Sequence, residues 1–82
     1  MRNKFNAIKT TIEGITFDSK REARRWQELK LLERAGEIER LERQVQFSLV
    51  VEGQTIATYT ADFRYWTTAL PQERVVEDVK SV

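Results

Sequence analysis

The stretch FDSKREARRWQELKLLERAGEI, residues 17–38, decides the fold, because it carries the clearest helical pattern of the chain. Asp18 or Ser19 can cap the start of a helix, and Gly36 can end it. The residues between them are strong helix formers. Their apolar stripe consists of Trp26 and Leu29, with Ala23 and Leu32 at its margins. We therefore predict a helix over residues 18–36 that packs by this stripe.

Three strands are predicted after the helix. Apolar and polar residues alternate in QVQFSLVV (44–51) and TIATYTADFRYW (55–66), and RVVEDVKSV (74–82) forms the third strand. The connections EGQ (52–54) and TTALPQE (67–73) are short, so the strands should form an antiparallel meander. We expect an α+β fold in which an N-terminal helix packs on this three-stranded sheet.

The chain is predicted to be one domain over residues 1–82, because its length lies near the lower limit for a single core. Residues 1–17 form an N-terminal arm, in which TTIEGITF (10–17) makes a short hairpin that turns at Glu13-Gly14. The helix occupies residues 18–36, and the sheet occupies residues 43–82.

Composition excludes several kinds of site. Cysteine and histidine are both absent, which rules out disulfides, thiolate or imidazole metal ligands and a histidine base. Any metal must therefore be held by oxygen ligands, which suit magnesium, manganese or calcium. No apolar run reaches the length of a membrane span, and the N-terminus lacks a signal-peptide pattern. We expect a cytoplasmic protein without a membrane partner.

The last strand carries adjacent acids with different orientations. Alternation places Asp78 and Lys80 on one face and directs Glu77 to the other, where we expect Glu77 to face solvent. A symmetric hairpin centred on Leu70 sets Asp62 opposite Asp78, with Cβ atoms about 5 Å apart. Such carboxylates repel each other unless one is protonated or a cation lies between them. A divalent ion held there would activate a water for phosphodiester hydrolysis, with Lys80 stabilising the developing charge.

The segments ADFRY (61–65) and DVK (78–80) together resemble the acidic motif of the PD-(D/E)XK nuclease superfamily. Residues 17–38 are similar to the helix of a phage-encoded branch of small endonucleases related to Holliday-junction resolvases, and the resemblance covers residues 14–82. It implies a restriction-endonuclease-like core, DNA as substrate and Mg²⁺ or Mn²⁺ as cofactor. It also implies roles in catalysis for Asp62, Asp78, Lys80 and Glu22, the two aspartates as metal ligands.

The superfamily core continues past the lysine with a helix and a further strand, so we expect a C-terminally shortened form of this fold. If phage-encoded, it would act in the cytoplasm of the host cell. Without that last part, an open apolar face of the sheet would need a cover, and we expect a homodimer or a protein partner there. The residues expected on this face are Phe47, Leu49, Tyr59, Phe63, Val75 and Val79.

Each candidate residue also has a structural interpretation. Asp62, Asp78 and Lys80 suit an exposed strand face with a cross-strand salt bridge. Glu22 suits a capping box with Ser19. Trp66 is expected to pack, with stacking on a base as the alternative.

A basic group on the helix suits either a solvated face paired with Glu28 and Glu33 or a nucleic-acid contact through phosphates. The group consists of Lys20, Arg21, Arg24, Arg25 and Lys30.

Three functions follow from these interpretations. The first is a magnesium-dependent DNA endonuclease. The second is an inactive nuclease fold that binds DNA, or binds a host protein as a phage inhibitor or regulator. The third is a dimerisation domain without a site.

Overall fold

A computed structural model describes residues 9–79 of the protein. The elements, in chain order, are β1 (Thr10–Ile12), β2 (Ile15–Phe17), α1 (Lys20–Arg34), β3 (Ile38–Val51), β4 (Gln54–Thr67) and β5 (Arg74–Glu77). Strands β1 and β2 form an antiparallel hairpin, and β3, β4 and β5 form an antiparallel sheet in chain order. The helix packs against this sheet, which confirms the predicted α+β fold with its meander.

Helix α1 begins and ends where its capping residues predict. Ser19 has an extended backbone, and its Oγ accepts a hydrogen bond from the Glu22 N–H at 3.1 Å. This bond satisfies one of the free donors of the first turn. At the other end Gly36 adopts a φ of 82° and donates its N–H to the Glu33 carbonyl at 3.1 Å. A left-handed residue at this position favours glycine and stops the helix.

Both hairpins turn at the predicted Glu-Gly pairs. Glu13 and Gly14 have φ values of 51° and 81°, and Glu52 and Gly53 have values of 50° and 78°. Two consecutive positive φ angles are typical of the type I′ turn, whose twist matches that of the flanking strands. The two-residue connections therefore hold β1 against β2 and β3 against β4.

Two strand boundaries differ from the prediction. Strand β3 begins at Ile38 rather than at residue 44, and the missed segment IERLER lacks apolar–polar alternation. Strand β5 ends at Glu77, so Asp78 and Val79 follow it as irregular chain. The predicted continuation to residue 82 lies partly outside the described residues.

The core lies between the helix, the β1–β2 hairpin and the half of the sheet in which β5 pairs with β4. This three-stranded half is here called the near half. Phe17, Leu29 and Phe63 are completely buried. The ring of Trp26 lies between two of them, with centroid distances of 6.2 Å to Phe17 and 5.9 Å to Phe63. The other buried apolar residues of this cluster are Ala23, Ile38 and Tyr65. The predicted stripe is thus buried, except for its marginal member Leu32.

The apolar surface predicted for the sheet does not form as one patch. Phe63 lies in the core, and Val75 and Val79 pack against it. Leu49 and Tyr59 remain 58% and 54% exposed. The reason is that β5 pairs only with residues 63–66 of β4, so residues 45–60, here called the distal ribbon, have two strands. The one helix of the described residues covers the near half, and it is not long and apolar enough to cross a membrane.

Truncation of a buried leucine of α1 should cost far more stability than truncation of an exposed one. Leu29→Ala removes a fully buried side chain and leaves a cavity, so we expect a loss of about 2–5 kcal/mol in the free energy of unfolding. Leu31→Ala, at a position that is 62% exposed, is the matched control and should change it by less than about 0.5 kcal/mol. Urea denaturation measures both, and equal losses would contradict the packing described above.

Candidate metal and nucleic-acid site

The pairing of β4 with β5 brings the two candidate aspartates together. Phe63 lies opposite Glu77, and this register sets Asp62 opposite Asp78, as the hairpin centred on residue 70 predicts. The Asp62 N–H donates to Asp78 Oδ1 at 3.2 Å. The Val79 N–H donates to Asp62 Oδ2 at 2.7 Å. Each carboxylate thereby accepts a hydrogen bond from a backbone N–H at or next to the other acid, and the two acids lie side by side.

Glu22 is the third carboxylate of this region. Only 6% of its surface is exposed, and its Oε1 accepts a hydrogen bond from Gln44 Nε2 at 3.3 Å. Burial raises the pKa of Glu22, and the negative charges of Asp62 and Asp18 raise it further, while Arg43 and the Gln44 bond oppose them. The charge of Asp62 therefore acts on the helix acid, although the Glu22 carboxylate itself bonds to Gln44.

Both interpretations of Glu22 have a counterpart in its contacts. Its backbone N–H donates to Ser19 Oγ, which is half of the predicted capping box. Its carboxylate bonds to Gln44 on β3 and thus points from the helix toward the sheet. Ser19 thus caps the helix by accepting the backbone N–H of Glu22, while the Glu22 side chain bonds to Gln44 and adds its charge to the acidic region.

Glu77 does not face solvent, which makes that expectation wrong. Its two carboxylate oxygens accept hydrogen bonds from Nε and Nη2 of Arg25, both at 2.8 Å, and the Tyr65 hydroxyl donates to the same carboxylate. The Arg25 hydrogen bond is the main cause that lowers the pKa of Glu77, against the opposing effect of burial. Helix α1 covers the face of β5 opposite to Asp78, so the side chain that points there meets an arginine instead of water.

The basic residues of the helix differ in how far they are exposed to solvent. Arg25 is bound to Glu77 and also to Glu28, at 3.2 Å. Lys30 pairs with Glu33 at 3.3 Å and lies 5.5 Å from the centroid of the Trp26 ring. The other three members of the group are exposed: Lys20, Arg21 and Arg24. Lys80, the fourth predicted catalytic residue, lies outside the described residues.

Two arginines that were not predicted as site residues lie on the face that carries the acids. Arg64 follows Asp62 by two residues on β4 and pairs with Glu42 at 2.7 Å. Arg74 lies opposite Trp66 across β4 and β5. The period-two alternation that grouped Asp62 with Asp78 would have grouped these side chains too. Trp66 itself is half-buried, and the Arg40 guanidinium lies 5.0 Å from its ring centroid.

The donor atoms of the acid pair fit a hard divalent cation. Within residues 9–79 no group of three acids is close enough to form a metal site by itself. Mg²⁺, however, usually keeps several waters and needs only one or two carboxylates from a protein. Asp62 and Asp78 supply two such groups on one face of the sheet, with the charge of Glu22 nearby.

Replacement of Glu22 by glutamine should raise stability at neutral pH. A carboxyl whose pKa is raised on folding favours the folded state most below the unfolded pKa, and this contribution is lost as the pH rises through the folded pKa. At pH 7 the buried charge therefore costs stability, and Glu22→Gln removes that cost. Thermal melts between pH 4 and pH 8 measure the effect.

The difference in stability between Glu22→Gln and wild type should shrink as the pH falls toward the ordinary pKa of a glutamate side chain, about 4.3. Glu28→Gln, which changes an exposed acid of the same helix, is the control and should show no gain. A Glu22→Gln protein that is less stable than wild type at pH 7 would contradict the raised pKa.

Comparison with known proteins identifies a family. Neither the curated proteins nor the solved structures include a match to this chain. One family profile, described as "Protein of unknown function (DUF1064)", matches residues 2–82. Because the match extends over nearly the whole sequence, the chain belongs to the DUF1064 family.

Proposed function

We propose that this protein is a magnesium-dependent DNA endonuclease of the PD-(D/E)XK type that hydrolyses phosphodiester bonds. The observation that carries the proposal is the pair of hydrogen bonds that hold Asp62 beside Asp78. The cross-strand acids have the sequence spacing of that motif, and the helix glutamate of the motif adds its charge to the same region.

The side chains divide the chemistry among them. Asp62 and Asp78 would hold the Mg²⁺ or Mn²⁺ ion, which supplies Lewis acidity for a bound water and for a phosphate oxygen. Glu22, whose pKa is raised, suits a group that takes the proton of the attacking water. The water oxygen would then bond to phosphorus as the bond from phosphorus to the leaving sugar oxygen breaks, and the leaving oxygen would take a proton from solvent. Lys80 stabilises the charge that develops on the phosphate.

The exposed basic residues of α1 would contact the DNA backbone. Lys20, Arg21 and Arg24 lie at the start of the helix, within two residues of Glu22 in the sequence. Contacts to phosphates position DNA without reading its sequence, and they weaken as salt rises. In this proposal Lys30 adds a weaker contact because of its pairing with Glu33, and Arg25 acts mainly by holding Glu77.

Plasmid nicking tests the nuclease proposal. We expect supercoiled DNA to be nicked by the wild type with Mg²⁺ but not with EDTA. Asp78→Asn should lower the nicking rate by at least about 100-fold, because it removes a metal-binding charge and keeps the side-chain shape. Glu73→Gln, an exposed acid in the β4–β5 loop, should nick like the wild type. Activity that survives in Asp78→Asn at the wild-type rate would refute the role of the acid pair.

A second function is favoured by the distal ribbon and by the bonds of the acids. Five large apolar side chains of the distal ribbon are exposed: Leu49, Val50, Val51, Ile56 and Tyr59. Such a surface suits a homodimer or a protein partner. Backbone N–H groups already occupy one oxygen of each aspartate, as in a purely structural pair. An inactive nuclease fold that binds DNA or regulates a host protein accommodates both observations.

A metal titration separates the two functions. A ligand that binds only the folded protein raises its stability, by about 2.7 kcal/mol at a concentration 100 times the dissociation constant. For the nuclease we expect Mg²⁺ to raise the melting temperature of the wild type but not of Asp78→Asn. Calcium and Mn²⁺ serve as companion ions. A melting temperature that does not respond to any of these ions would favour the binding module.

A further inference from the structure

We propose that the sheet face beside the acid pair binds an unpaired stretch of DNA strand, by means of Phe47, Arg64, Trp66 and Arg74. The inference deepens the proposed function and rests on it, because it assigns the substrate region next to Asp62 and Asp78. These four residues are here called the arginine–aromatic surface. Its members belong to all three strands of the sheet.

The β3–β4 ribbon curls so that Phe47 comes over the other members. Phe47 pairs with Tyr59, which lies five residues before Arg64 on β4, and Arg74 lies beyond that, opposite Trp66. In a flat ribbon this separation would keep the ring far from both arginines. The guanidinium carbons of Arg64 and Arg74 nevertheless each lie 6.0 Å from the Phe47 ring centroid. Alternation puts Phe47 on the face of Tyr59 and Phe63, so the two-stranded ribbon must twist as well as bend to bring the ring to these arginines.

The arginine–aromatic surface adjoins the acid pair. Side chains two residues apart on a strand share a face. Asp62, Arg64 and Trp66 thus follow each other along one face of β4. Opposite them on the β5 side lie Asp78 and Arg74, since Trp66 pairs with Arg74 and the register continues to the acids. A DNA strand that binds to the arginines can therefore continue to the carboxylates.

The charge of the surface is partly uncompensated. Arg64 is paired with Glu42 at 2.7 Å. Arg74 is exposed, and among residues 9–79 its guanidinium has no ion pair; the ring of Phe47 is its contact. A guanidinium that lies beside a ring without an ion pair leaves its N–H donors available for a phosphate.

The combination of rings and arginines favours an unpaired strand over other anions. Bases of a single strand stack on aromatic rings while arginines neutralise the phosphates, and each stacked base adds substantial affinity. Bases in a duplex are stacked on each other and cannot use the rings. Tyr59 stacks on Phe47 with centroids 5.2 Å apart and fixes the ring before binding, so a base would stack where the side chains of Arg64 and Arg74 lie over the ring, as these move to the phosphates. An acidic peptide would use the arginines but gain little from the rings.

Fluorescence anisotropy with a labelled thymidine oligonucleotide of about 16 nucleotides tests the inference. A duplex of the same length is measured beside it. All proteins carry Asp78→Asn, and EDTA is present, so that binding is measured without cleavage. We expect the single strand to bind more tightly than the duplex. Phe47→Ala and Arg74→Ala should each weaken single-strand binding about tenfold.

Two matched controls remove similar groups elsewhere. Leu31→Ala truncates an exposed apolar side chain of the helix, and Arg34→Ala removes one charge at the end of the helix. Both should change single-strand affinity by less than about twofold. Phe47→Tyr should retain affinity, which excludes unfolding as the cause of the loss in Phe47→Ala. Arg74→Ala should also reduce the salt slope of binding by about 0.7.

The outcomes separate this inference from the nuclease proposal. If Phe47→Ala binds the single strand as well as Leu31→Ala does, the arginine–aromatic surface is not the site, even where the wild type nicks plasmid. If Phe47→Ala weakens binding while the wild type nicks nothing, the surface stands and the nuclease proposal fails. Absence of single-strand binding overturns the inference, and binding of polyglutamate in its place would assign the surface to an acidic protein.

Discussion

The antiparallel pairing of β4 with β5 determines which side chains reach the helix and which reach the acid pair. With Phe63 opposite Glu77, alternate residues of β5 point to opposite faces of the sheet. One face receives Glu77, where Arg25 and Tyr65 bind it. A slip of one residue would exchange the faces and bury Asp78 against the helix instead. The ion pair with the helix and the position of the candidate site thus depend on the same register.

The Arg25–Glu77 pair helps to keep that register. Strand β5 has four residues and lies at the edge of the sheet, so its hydrogen bonds alone hold it weakly. The bidentate geometry and partial burial of the pair distinguish it from ordinary surface ion pairs. It connects the middle of α1 to the last residue of β5, directly before Asp78. Helix α1 therefore supports the candidate site through the acidic residue Glu22 and through the basic residue Arg25.

Much of the fold could be predicted because its signals are local. Ser19 and Gly36 delimit the helix, the Glu-Gly pairs define the turns, and the loop around Leu70 sets the β4–β5 register. The start of β3 could not be predicted, because Ile38–Arg43 is held by tertiary contacts, including the bond from the Leu41 N–H to Glu33 Oε2 at 3.1 Å. The burial of Glu77 was missed for a related reason. Its partner Arg25 lies 52 residues away in sequence. The alternation of side chains along a strand predicts the face on which a residue lies, but not which element covers that face.

The candidate site, like the fold, combines features that local sequence signals predict with features that depend on tertiary packing. Alternation and hairpin symmetry placed Asp62 beside Asp78, while the contact of Glu22 with Gln44 depends on how the helix docks. The curl of the ribbon, which brings Phe47 to Arg64 and Arg74, has no local signal in the sequence.

The distal ribbon and the near half of the sheet should differ in how cooperatively they unfold. The ribbon residues form cross-strand bonds, but among the described residues β5 does not pair with them and the core cluster does not include them. Opening residues 45–60 exposes little additional apolar surface, whereas opening the near half disrupts the packing around Trp26. Amide hydrogens of the ribbon should therefore exchange with solvent through local fluctuations, and those of residues 63–66 only through global unfolding.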